Sequence, residues 1–180
     1  MKLKTLFAST FCLMLATYGG TTTFASELEQ THGVDVSVET TDNGIINFID
    51  GDKEIGVFFP EEVLDNMPEV HQSIIEERGF IMTQPVNNAL KPLATKNFTS
   101  EICSVNDSVV FSVTWNYNSS TTFGVKLPVP YNPVAISTTT SGEFIGKYVS
   151  KINGAVTPYI TNNSTIRTTT YVGQIKMTLN

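Results

Sequence analysis

The second half of this 180-residue chain predicts an antiparallel β-sandwich or small barrel, preceded by a small acidic α+β segment made of a hairpin and one or two short helices. Two observations carry that expectation. In Ser108 to Tyr117, Val109, Phe111, Val113, Trp115 and Tyr117 share one parity and Val110, Ser112, Thr114 and Asn116 the other, the period of a strand with one face buried. After it, similar runs recur at short spacing with turn residues between them: Thr121 to Leu127, Val134 to Thr139, Glu143 to Lys151, Ala155 to Ile160 and Thr165 to Leu179.

Taken in order, the chain opens with Lys2 and Lys4, an apolar run from Leu6 to Ala16, and a polar stretch ending Thr23-Phe24-Ala25. This is the three-part pattern of a secretory signal, residues 1–25, with cleavage expected after Ala25 and an exported, soluble product. The apolar run falls short of the ~20 residues that a helical membrane span needs. Cys12 leaves with the signal, so Cys103 has no partner for an internal disulfide and is expected to pack as a small apolar residue in or beside a strand. An exported chain without disulfides points to a bacterial source, where the sequons at Asn97, Asn106, Asn118, Asn162 and Asn163 carry no meaning.

Residues 26–83 form the acidic segment, with its first residues, to about 40, expected to be poorly ordered. Asp50-Gly51-Asp52 between Gly44–Ile49 and Lys53–Phe59 predicts a β-hairpin. Pro60 fits the first turn of a short helix with Glu61, Glu62 and Asp65 near its positive end, and a second helix is expected from Pro68 to Arg78, stopped by Gly79. Residues 84–99, with Pro85 and Pro92 and no clear period, read as a linker, which makes residues 100–180 the sandwich domain. Within that domain the polar turn Asn118-Ser119-Ser120 predicts that Thr121–Leu127 folds back on Ser108–Tyr117 as its antiparallel partner. The first part of the last segment, rich in Thr, is expected to face water on both sides, and Gly124, Gly146 and Gly173 are candidate bends.

The charge is divided. From Ser26 to Thr83, fourteen Asp or Glu stand against Lys53 and Arg78, a net −12, while Gln84 to Asn180 carries a net +4. The acidic whole disfavours nucleic acid as a partner. Asp50, Asp52, Glu54 and Glu61 fall at positions 1, 3, 5 and 12 of a calcium loop, but Ile55 occupies the position that requires Gly, so no metal or other cofactor is expected. A Cys–His pair would have to join Cys103 to His32 or His71, neither placed as a base, and no Gly-x-Ser-x-Gly elbow occurs. No enzyme is expected.

What remains is surface. Tyr131 in the loop Pro128-Val-Pro-Tyr-Asn-Pro133, and Tyr159 after Pro158, are the candidate ligand-binding residues, since aromatic rings on loops can stack on sugars or insert into a partner. The expectation is a secreted, non-catalytic β-sandwich that binds a cell-surface or extracellular glycan or protein. The alternative is a membrane-active protein whose stretch Val134–Lys151 inserts as a β-hairpin, with residues 26–97 as a prosegment covering the basic region.

Overall fold

The computed structural model of the protein describes residues 33–66 and 79–179. Their strands lie in two antiparallel sheets whose inner faces share one hydrophobic core, so the β-sandwich expected from the periodicity is the fold observed. The first sheet contains β1 (Ser37–Thr40), β2 (Ile46–Asp50), β3 (Lys53–Pro60), β4 (Phe80–Leu90), β7 (Ser108–Trp115), β10 (Glu143–Ser150) and β12 (Thr169–Leu179), in the spatial order β1-β2-β3-β10-β7-β12-β4. The second contains β5 (Thr95–Asn97), β8 (Thr121–Lys126), β9 (Val134–Thr139) and β11 (Gly154–Asn162) in the order β5-β11-β8-β9, with β6 (Glu101–Cys103) also paired to β11. The helix α1 (Glu61–Asn66) follows β3 directly and buries Val63 and Leu64.

The alternation in β7 does what its period requires. Val109, Phe111, Val113 and Trp115 are buried, whereas Thr114 is exposed. Facing them across the core is Phe123 of β8, stacked on Phe144 of β10 with ring centroids 4.2 Å apart and edge-on to Phe111 at 6.1 Å. Each such ring removed from water contributes roughly 1.5–3 kcal/mol, and favourable ring pairs add about 0.5–1.5 kcal/mol.

The hairpin expected of β7 and β8 does not form. Both sides of β7 are occupied, by β10 and by β12, and β8 pairs instead with β11 and β9 in the opposite sheet. The connection turns through Tyr117 and Asn118, both at positive φ, and the Trp115 Nε1–H donates to the Ser119 carbonyl at 2.9 Å. Period-2 burial is the same for a strand that pairs sideways and one that faces across a sandwich, which is why the pattern alone misassigns the partner. The stretch Val134–Lys151 is likewise split, with β9 in one sheet and β10 in the other.

The linker and the boundary it implied are also corrected. Residues 84–99 hold most of β4 and all of β5, and β1 to β3 join the same sheet as β7, β10 and β12. Pro85 misled the reading: β4 is an edge strand, paired on one side only, where a missing amide is tolerated. In the last strand Thr169 is fully buried, contrary to the water-facing expectation, because its hydroxyl donates to Ser119 Oγ at 2.9 Å. The Asp-Gly hairpin forms as β2 and β3, with Gly51 at φ +59°. The helix expected over residues 68–78 lies outside the described residues.

Candidate functional site

Tyr131 and Tyr159, the two residues singled out from the sequence, are half-buried and make no ring contact with one another. The Tyr131 hydroxyl donates to Asp50 Oδ2 at 3.1 Å. Around it the loop between β8 and β9 is tied to the start of the described chain: Asn132 Nδ2 donates to Asp35 Oδ1 at 2.7 Å, and the Val34 amide to the Pro130 carbonyl at 2.8 Å. Burial, the hydrogen bond to Asp50 and the Asp50 charge all push the Tyr131 phenol above its ordinary pKa. The ring fastens one end of the sandwich to the β2–β3 turn.

Tyr159 sits within β11 rather than on a loop. The hydroxyl end of its ring lies against Gly124, where an added Cβ would fall 2.4 Å from it, and its hydroxyl donates to the Val134 carbonyl at 3.2 Å. It covers the place where the β8–β9 register shifts between Phe123 and Gly124.

A cleft of a different character opens where β4, the last strand of the first sheet, faces β5, the first of the second. It encloses about 640 Å³. On β4 the core-side parity runs Met82, Gln84, Val86, Asn88, Leu90; Val86 is buried and Met82 and Leu90 pack on the core, yet Gln84 and Asn88 occupy the same row. Across from them stand Lys96, Asn97 and Thr99, with Phe98 buried between. The Gln84 amide ties β4 to the connection between β5 and β6: its Oε1 accepts the Thr99 N–H at 2.7 Å and its Nε2 donates to the Thr99 carbonyl at 3.4 Å.

Among the described residues, the other amide and ammonium side chains of this cleft are uncommitted. The side chains of Asn87, Asn88, Lys96 and Asn97 make no hydrogen bond or ion pair with the described residues, whereas Asn132, Asn153, Asn162 and Asn163 use theirs to hold loops together. Three amides offer six donors and three acceptors, and Lys96 is the only charged group in the lining. Such a wall can hydrogen-bond a polyhydroxylated or amide-bearing ligand. Its lining holds no His, Cys, Asp or Glu.

The sequence reading missed this cleft because it placed residues 84–99 outside the fold. A signal was present: Gln84 and Asn88 interrupt a period-2 row of Met82, Val86 and Leu90, the mark of a strand whose inner face is not wholly closed. A second opening, of about 440 Å³, lies at the opposite side of the sandwich between β9 and β10 and is bordered by Glu61, Glu62 and Glu143 with Ser137 and Thr139. Among the described residues no three His, Cys, Asp or Glu side chains gather as metal ligands would.

Cys103 is buried at the end of β6, and its thiol is pushed up to about 12 by burial and by the charges of Asp107 and Glu101. It is a packing residue with no thiolate at neutral pH. His32 and His71 lie outside the described residues. No helix among the described residues is long and apolar enough to cross a membrane.

No family model, curated protein or solved structure matches this chain.

Proposed function

We propose that this protein is a secreted, non-catalytic β-sandwich that holds an extracellular or cell-surface ligand in the cleft between β4 and β5. The observation that carries the reading is one opening between the sheets onto which Asn88 and Lys96 stand in the facing rows, with Asn87 and Asn97 on its rims, none of them bonded by its side chain within the described residues. Polar side chains placed on a rigid edge and engaged with nothing else are what a recognition surface needs, since they meet a ligand without first breaking internal bonds. The leader pattern in residues 1–25 supports export.

Tyr131 and Tyr159, with their hydroxyls bonded to Asp50 and to Val134, serve the framework in this reading and leave the recognition to the β4–β5 edge. Glycan and protein arrays probed with the purified protein test it. The expected outcome is a ligand whose signal falls at least tenfold with Asn88→Ala, about 1.4 kcal/mol of binding. An array ligand indifferent to Asn88→Ala and Lys96→Met refutes the cleft as its site. Dye release from liposomes is the parallel measurement for the membrane-active alternative, and none is expected at micromolar protein.

A further inference from the structure

Resting on the cleft as the binding site, we infer that its ligand is an acidic saccharide, a sugar chain carrying carboxylate or sulfate groups. The lining holds one cation, Lys96, and no carboxylate, in a molecule whose net charge is −6. Lys96 lies in β5 opposite Ile160 of β11, a core residue, so it stands in the row that faces the gap between the sheets, and it has no ion-pair partner among the described residues. An ammonium so placed is available to an anion brought by a ligand, and the surrounding amides suit sugar hydroxyls, each of which both donates and accepts. Met82, Pro85 and Phe98 supply the apolar contact that the C–H face of a sugar ring uses.

An extended peptide fits the same edge poorly. Adding a strand to β4 requires an unbroken row of backbone donors, and Pro85 removes one at the middle of the strand. Thr99 on the other rim already has its N–H and carbonyl taken by Gln84, and β5 spans only three residues. Side chains, rather than main chain, do the recognising here.

Isothermal titration calorimetry decides the matter with three probes: oligogalacturonate, the same oligomer fully methyl-esterified, and dextran sulfate. Binding of either acidic probe is expected, weaker by about tenfold in Lys96→Met, which keeps the side-chain stem and removes the charge, and reduced as salt is raised. Which of the two acidic probes binds tells carboxylate from sulfate. Equal binding of the esterified oligomer, or no effect of Lys96→Met, overturns the acidic class while leaving the cleft reading to Asn88→Ala. If neither acidic probe binds, the inference is wrong. A ligand found on arrays that still depends on Asn88 then keeps the cleft as a site for something neutral. Lys96 is exposed and outside the core, so a melting curve matching the parent protein shows the variant folded.

Discussion

The middle of this sandwich and its β4–β5 edge are built on the same alternation and end in opposite states. On β7 every core-side position from Val109 to Trp115 is apolar and buried. On β4 the corresponding row alternates apolar Met82, Val86 and Leu90 with Gln84 and Asn88, and a cleft of about 640 Å³ stands where the core could have closed. Aromatic mass explains the middle, where Phe111, Phe123, Phe144 and Trp115 interlock. At the edge the two sides are joined by side-chain amides, Gln84 to Thr99 and Asn162 to the Leu90 carbonyl. The lesson is that an inward polar residue on an edge strand marks the place where a sandwich gives up burial for access.

The packed middle carries the largest expected effects. Phe123→Ala, at the centre of the ring cluster, is expected to cost about 3–5 kcal/mol in urea unfolding. A loss below about 1 kcal/mol would mean the middle is not the close-packed half. Next comes Gly173→Ala on β12: Gly173 has φ +147°, and an added Cβ would fall 2.1 Å from the Ser112 carbonyl oxygen. A cost of about 3 kcal/mol follows from strain and clash together, and a thermally unchanged variant would show that this strand has room to shift.

Cys103 offers a pH handle on the same packed region. Its folded-state pKa is raised to about 12 from an ordinary value of 9.0, so ionisation favours the unfolded chain. Its contribution to stability is complete below about pH 9 and declines as pH rises from there toward 12. Denaturant midpoints across that window should fall less steeply in Cys103→Ala, and the native thiol should stay unreactive to a disulfide reagent at pH 8.

Smaller effects belong to the periphery. Tyr131→Phe removes the bond to Asp50 and should lower stability by about 1 kcal/mol without altering array binding. A lost signal would return Tyr131 to the ligand site. Asn88→Ala is expected to change stability by less than about 0.5 kcal/mol, since its amide bonds nothing within the described residues, while abolishing most of the binding.

Much of the sheet structure was legible from residues alone. The runs around Phe111, Phe123, Ile136, Phe144 and Met177 are strands because apolar residues recur at every second position, and Asp50-Gly51-Asp52 is a tight turn because Gly51 can take φ +59°. Pairing partners were not legible, since burial period says which face is dry and nothing about which strand lies alongside. The site was hidden for a related reason. Pro85 and the amides of β4 lower the strand signal of an edge, so the very features that keep the cleft open also made its residues look like a connection.

The order in which partners appear along the chain has its own consequence. Within the first sheet β3 must wait for β10, some ninety residues later, and β4 for β12, the last strand described. A polypeptide delivered from its N-terminus therefore holds unmatched edges until β12 emerges, a slow and adhesion-prone interval by the usual relation between sequence separation and folding rate. Loss of β12 would cut the edge strand β4 away from β7, so these eleven residues are the fastening that keeps one wall of the cleft on the sheet.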